Sequence, residues 1–244
     1  MNSDKFSIII PALNEEKIIQ QVLFQFDEIV KKDYGLEIIV SDGGSKDKTI
    51  DLVDHTVDKV IIHKENFKQN IARGRNQGAR NSLGDVLIFL NADTLISDLN
   101  VFFDSVKRIL ENNSIVAIAC PVKVFPEEEI LVDKIFHFCY NNYVRLLNKF
   151  FMGMGRGECH IIRRNDYFNI GGYNEKLAAG EDFELYKRLR KTGKIHYLKN
   201  CVIYESPRRY RKLGYMKVFS EWLLNSFSIF LFKRSISKDW QEVR

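Results

Sequence analysis

Apolar and polar residues follow one another in blocks along this chain, and the block lengths predict its elements. Residues 7–12 (SIIIPA) form an unbroken β-branched run closed by Pro11, which predicts a first strand. Ile18, Ile19, Val22, Leu23, Phe26, Ile29 and Val30 then recur at helical spacing, so one amphipathic helix is expected, with Asn14 placed to cap it. A second apolar run, residues 36–40, leads into the polar turn SDGGSKDKT and a short helical segment reaching Val57. Residues 59–63, 86–90 and 115–124 read as the third, fourth and fifth strands. Between them the pattern predicts an Arg-rich helix over 69–82 and an amphipathic helix over 99–110. Strand and helix alternate, which predicts an α/β fold with a mostly parallel, Rossmann-like central sheet and helices on both faces. Ligands of such sheets gather beyond the carboxyl ends of the strands.

After Pro126 the rhythm changes. Residues 130–152 are rich in aromatic and aliphatic side chains, broken by Lys134, Arg145 and Lys149, and are expected to be helical. GMGRGECHIIRR reads as a loop running into a strand, NDYFNIGGYNE as a short helix with a Gly-Gly stop, and EDFELYKRLRKTGK as a helix ended by Gly193. Two short strands, 195–198 and 202–204, precede the basic turn SPRRYRK and a last aromatic segment, 215–232. No repeat and no shift in composition marks a linker, so residues 1–244 read as one domain.

Composition narrows the partners. The chain has 244 residues, 45% of them hydrophobic, which suffices for a sizeable core. A net charge of +5 suits anionic ligands or an anionic membrane surface and gives no support to nucleic-acid binding. The four cysteines stand far apart without metal-ligand spacing, which reads as reduced thiols in a cytosolic chain and argues against structural zinc. The N-terminal MNSDKFSIII lacks the pattern of a signal peptide, and no window reaches the roughly 18 apolar residues of a spanning helix. The expectation is a cytoplasmic protein, soluble or peripheral at the membrane. Residues 215–232, with Trp222, Leu223, Leu224 and Phe227 and with Lys217, Lys233 and Arg234 at the margins, either lie in a membrane interface or pack on the core or a second subunit.

The candidate chemistry sits at strand ends. LIFLNADT is a buried-strand pattern that ends in Asn91 and Asp93. Oxygen ligands there either hold a divalent cation carrying a diphosphate or cap the following loop. VSDGGSKDKT puts Asp42 at the end of the second strand, where a carboxylate either accepts hydrogen bonds from a base or ribose or caps an ordinary βα turn. Neither stretch is a GxGxxG fingerprint or a P-loop, so dinucleotide binding and ATP hydrolysis lose their usual signals.

PALNEE after the first strand, SDGGSKDKT after the second, GRNQGAR before the fourth, NADT after it, and GGYNE ahead of GEDFELYKRLRKTGK occur here in one order. Together they resemble the family 2 glycosyltransferases of the GT-A fold, the nucleotide-diphospho-sugar transferases. The resemblance implies that Pro11, Asn14 and Glu15 form the first nucleotide-contacting loop, that Asp42 holds the base or ribose, and that Arg75 and Asn76 line the nucleotide and diphosphate. Asn91 to Asp93 then occupies the place of the DxD motif. The first acid is replaced by Asn91, which leaves Asp93 as the metal ligand and weakens affinity for Mn2+ or Mg2+. In AAGEDFEL the resemblance assigns Asp182 as general base and Glu181 as its neighbour or an acceptor-binding group. Both acids also fit a plain helix N-terminus.

Arg208 and Arg209 in ESPRRYRK can neutralise a departing diphosphate, and the alternative is a solvated basic turn. Glu205 stands near where related enzymes often supply a further metal ligand. His160, a single histidine, reads as a packing or hydrogen-bonding residue. The implied function is inverting transfer of a hexose or N-acetylhexosamine from a UDP- or GDP-linked sugar to a hydroxyl acceptor. The half to about residue 125 would bind the nucleotide sugar and the half beyond it the acceptor. If residues 130–152 and 215–232 both face outward, a lipid-linked acceptor and peripheral membrane contact follow. The rival readings are a sugar-nucleotide-binding protein that has lost catalysis and a sugar nucleotidyltransferase.

Overall fold

The computed structural model describes residues 5–53, 57–67, 69–150, 152–232 and 234–236. Phe6–Ala12 (β1) is buried almost throughout, as a strand covered on both faces requires. The helix expected after it is two helices, α1 (Ile19–Leu23) and α2 (Glu28–Tyr34). Asp27 makes the break: its backbone is extended and its carboxylate accepts from the Val30 N–H, capping a new helix at residue 28. Gly35, at φ 62, ends α2 and turns the chain into Leu36–Asp42 (β2).

Asn14 does not cap α1, whose N-cap is Ile18. It adopts φ 54, donates its N–H to Ser45 Oγ and accepts from the Lys46 N–H, so it ties the loop after β1 to the loop after β2. The helix expected before Val57 is absent through residue 53, where isolated turns stand instead. Residues 54–56 of that expected segment lie outside the described residues, as do Phe151 and Lys233.

Lys59–Ile62 (β3) is followed by α3 (Ile71–Arg80), capped by Asn70, and by Val86–Leu90 (β4), Thr94–Ile96 (β5) and α4 (Leu99–Leu110), capped by Asp98. The strand expected over 115–124 splits into Ile115–Ala119 (β6) and Val122–Val124 (β7). Pro121, which has no N–H to donate to a ladder, stands at the split. Then come α5 (Leu131–Lys149), β8 (Cys159–Arg163), α6 (Arg164–Asn169), α7 (Glu181–Thr192), β9 (Lys194–Tyr197) and β10 (Ile203–Glu205). The basic stretch read as a turn is a helix, α8 (Arg208–Leu213), and α9 (Tyr215–Phe232) follows it.

Seven strands form the main sheet in the order β3-β2-β1-β4-β8-β6-β9. Every neighbouring pair is parallel except those of β8, which runs antiparallel to both β4 and β6. A second sheet, β5-β10-β7, stands beside it. Successive residues of β1 enter opposite cores, Ile8 and Ile10 with Phe102 and Phe103 on one face, Ile9 with Phe89, Tyr167 and Tyr186 on the other. The cysteines are unpaired thiols, and among the described residues no helix is long and apolar enough to cross a membrane.

Helix α3 lies very close to β1 because Gly78 faces it: a Cβ there would come within 2.3 Å of Ile9 Cγ2. That seat carries Arg75, one turn earlier, to the carboxyl ends of the central strands. In Gly78→Ala the helix gains about 1 kcal/mol of propensity, whereas overpacking a fixed β-branched neighbour costs about 1–3 kcal/mol. The clash is severe enough to win, so the variant's urea midpoint is expected to fall. An unchanged or raised midpoint would contradict this close seating.

Candidate active site

At the carboxyl ends of β1 and β4 a cavity of about 480 Å³ opens between the loops and the N-terminus of α7. Pro11, Glu15, Arg75, Asn91 and Asp93 line it, together with Glu181, Asp182, Arg208 and Arg209. With Glu205, ten of the candidate chemical residues singled out in the sequence therefore share one cavity.

Arg75 holds these pieces in place. Its guanidinium is 1% exposed and donates through Nη1 to Glu181 Oε1 (2.9 Å), and through Nη2 to Asn91 Oδ1 (3.0 Å) and the Gly157 carbonyl (2.6 Å). Burial opposes its charge, but Tyr173, Glu181 and Asp182 outweigh burial and raise its affinity for the proton. Asn91 thus turns its amide oxygen to a cation of the protein, while its N–H donates to the Glu158 carbonyl.

Gly180 begins α7 at φ 75, and a Cβ there would lie 2.5 Å from Ile229 Cδ1 of α9. No side chain caps α7, so its first-turn acids Glu181 and Asp182 supply the negative charge that a helix N-terminus favours. Asp182 Oδ1 accepts from the Phe183 N–H at 2.7 Å, and Oδ2 stands beside Gly157, where a built Cβ would be 3.6 Å away. Desolvation in the cavity, then the adjacent Glu181, push the Asp182 carboxyl up to about 7, against the Phe183 hydrogen bond and Arg75.

Arg208 is not a solvated turn residue. It donates to both oxygens of Glu15 at 3.0 and 3.1 Å and to Asp93 Oδ2 at 2.8 Å. Burial opposes its charge, and Asp93 and Glu15 more than restore it. Arg209 lines the cavity, and burial pulls its guanidinium below the usual value.

Three residues lie outside the cavity lining and act through its walls. Asp42, 1% exposed, accepts from the Gly44 and Ser45 N–H groups and from Ser45 Oγ, shaping the loop whose Gly43 lines the cavity. Asn76 donates to the Tyr173 carbonyl and Glu175 Oε1 and accepts from the Tyr173 N–H and Tyr167 hydroxyl, pinning the GGYNE loop to α3. Asn14 joins the first two loops, as described above. His160 is buried against Tyr186, hydrogen-bonds the Tyr173 hydroxyl through Nδ1, and is held neutral by burial and then Arg75, so it is a packing and hydrogen-bonding residue.

The sequence reading missed Arg156 and Glu158, which also line the cavity. Arg156 Nη2 donates to Glu205 Oε1 (2.8 Å) and Glu158 Oε1 (3.3 Å), and Nη1 contacts His137 Nδ1 at 3.0 Å. Burial, with Glu158 beside it, drives Glu205 well above the usual carboxylate range, whereas Arg156 overcomes burial to keep Glu158 below it. Burial and then Arg156 push His137 down to about 3. The only signal for this cluster was the spacing R-G-E at the mouth of β8.

As a metal centre the site offers few protein ligands. Among the described residues no three His, Cys, Asp or Glu side chains converge on one point. One carboxylate, Asp93, at the wall of a cavity sized for a small molecule nevertheless fits an ion that takes its other ligands from a diphosphate and water, as Mg2+ commonly does.

The chain is similar in sequence and in fold to proteins described as glycosyltransferases. The probable glycosyltransferase YdaM of Bacillus subtilis is 27% identical over 200 residues, 78% of this chain and 47% of its own length. The chain spans 24%, 47% and 61% of the first three curated relatives it matches. Among solved structures, the Pyrobaculum calidifontis mannosyltransferase PcManGT, in complex with GDP-Man and Mn2+, superposes with a TM-score of 0.72 at 19% identity, over 95% of this chain and 65% of that one. Staphylococcus aureus TarS, in complex with UDP-GlcNAc, gives 0.61 at 18% identity over 83% of this chain and 58% of that one. These likenesses carry the GT-A fold. The profile of "Glycosyl transferase family 2" matches residues 7–171, well over half of the sequence, and the chain belongs to that family.

Proposed function

We propose that this chain transfers a sugar from a UDP- or GDP-linked donor to a hydroxyl acceptor, with inversion at the anomeric carbon. The observation that carries the reading is Asp182: a carboxyl raised to about 7, at the wall of a cavity that Arg75, Arg208 and Arg209 also line. A base titrating near neutrality can both accept a proton and release it after turnover. GDP-Man and UDP-GlcNAc in the structural relatives support a nucleotide-sugar donor of either base.

In this mechanism the acceptor oxygen attacks the anomeric carbon from the side opposite the diphosphate. Its proton passes to Asp182, and the bond to the diphosphate oxygen breaks with its electron pair leaving on the diphosphate. Glu181, fixed by Arg75, positions Asp182 and the acceptor. Arg208 and Arg209 accept the charge that develops on the leaving group. Pro11, Glu15 and the loop shaped by Asn14 and Asp42 receive the nucleotide, and Asn76 keeps the far wall in register. Asp93 would hold the Mn2+ or Mg2+ ion, which when bound adds positive charge at the diphosphate. One reading competes on a specific observation: Asn91 spends its oxygen on Arg75, as a sugar-nucleotide-binding protein without turnover would allow.

Asp182→Asn is expected to lower transfer by about 10²-fold or more while leaving nucleotide affinity unchanged. Wild-type-like transfer by this variant would remove Asp182 from the base role. The wild-type rate should climb as pH rises through about 7, where the carboxyl ionises. Stability runs the other way: between the ordinary carboxylate pKa and about 7 the native state holds a proton the unfolded chain has released, so this group lowers stability as pH rises. Asp182→Asn should remove that slope in denaturant titrations at several pH values.

Thermal unfolding with UDP, GDP and their sugar conjugates, each with and without Mn2+, tests the donor. A ligand at 100 times its Kd adds about 2.7 kcal/mol, and a shift with one base that grows with Mn2+ is expected. No shift with any of them would overturn donor binding.

A further inference from the structure

Helix α5 is built inside out. Its inward stripe, at spacings of three and four, is Asp133, His137, Tyr140, Val144 and Asn148. Its outward face carries Leu131, Ile135, Phe138, Leu146 and Phe150, each more than half exposed. Helix α9 repeats the inversion, burying Val218, Asn225, Ser228 and Ile229 while Met216, Leu223, Leu224 and Phe227 stand outward. A helix on an aqueous surface shows the opposite arrangement. The two helices are neighbours, because the Phe136 ring of α5 meets Phe219 and Trp222 of α9 at centroid distances of 6.4 and 6.3 Å. Each of these touching helices therefore leaves an apolar face uncovered, unlike the singly scattered apolar residues of ordinary surfaces.

Charge selects the occupant. The exposed charged side chains on these helices are Lys134, Arg145 and Lys149 of α5 and Lys217 of α9. Their acids are turned away: Asp133 is buried on Arg211, and Glu221 is half-buried. An outward face both apolar and cationic is the pattern of a helix lying in the plane of a membrane interface. We propose that α5 and α9 dock this chain on an anionic lipid bilayer. Glu127 and Glu128 are exposed just before α5 and Glu129 pairs with Lys134, so Arg145, Lys149 and Lys217 carry the preference for anionic headgroups.

The docking face adjoins the active site. Tyr140 and Trp222 stack at 5.3 Å and 26°, one from each helix, and both line the cavity. The helices that would meet the bilayer thus also form part of the cavity wall. The acceptor hydroxyl then belongs to an amphiphile whose head reaches Asp182. That last step rests on the transferase reading, whereas the docking does not.

The test is sedimentation of the full chain with vesicles of phosphatidylcholine alone or with about a third phosphatidylglycerol. Binding to the anionic vesicles, weakened by salt, is expected. The triple variant Phe138→Ser/Leu146→Ser/Phe227→Ser should bind about tenfold more weakly or worse, and Arg145→Gln/Lys149→Gln should lose the preference for phosphatidylglycerol. Nucleotide-dependent thermal shifts, together with far-UV circular dichroism, check that the variants remain folded. Absence of sedimentation with either vesicle would overturn the proposal. So would a wild-type dimer by light scattering that the triple variant abolishes, since a second copy would then be the occupant. Vesicle binding without any nucleotide shift would leave the docking standing and sink the transferase reading, and the converse would sink only the docking.

Discussion

A single buried guanidinium organises this molecule's chemistry. Arg75 has no water to solvate it, and a charge so placed persists only when paired and hydrogen-bonded. Its partners come from three segments distant in sequence: the acid pair that opens α7, the amide that ends β4, and the loop that enters β8. Helix α3 can deliver it because Gly78 lets the helix rest on the sheet. Satisfying one cation therefore brings the acid motif to the strand end, and much of the remaining geometry follows from that meeting.

The rest of the cavity repeats the arrangement of one guanidinium between two acids, with different outcomes. Arg208 lies between Glu15 and Asp93 at the edge of the cavity. Arg156 lies between Glu158 and Glu205 in the interior, where burial raises the Glu205 carboxyl. Asp182 differs from all of these. The nearest cation, Arg75, is committed to Glu181, so Asp182 experiences the like charge of its neighbour more than the relief of the arginine. Its raised proton affinity comes from being left out of the pairing.

The sequence was most readable where one physical rule acted alone. Buried strands such as Val86–Leu90 announce themselves by unbroken apolar runs, and acids placed at their ends mark the cavity. Reading failed where two rules competed. The helical period runs through Phe26, Ile29 and Val30 without interruption, yet the Asp27 cap divides it. Asp42 and Asn76 were read as nucleotide-contacting residues and lie outside the cavity lining, because their hydrogen bonds hold loops whose course sequence spacing does not fix. Arg156 and Glu158 sit in a Gly-rich loop with no period to place them. For α5 the composition showed a helix mixed on every side, and the direction of its apolar face was decided by buried Asp133, His137 and Asn148, a polar interior that periodicity would assign to solvent.

The contact of Gly180 with Ile229 has a consequence for hydration. Because Gly180 carries no side chain, α9 is seated against the bare backbone at the start of the acid motif. Desolvation is the largest cause of the raised Asp182 carboxyl, and α9 forms part of the wall that keeps water from it. An outward displacement of α9 would open that wall and let water reach the carboxylate, lowering its proton affinity toward that of an ordinary surface acid. The basicity of the proposed base is thus set partly by how firmly a peripheral helix is held.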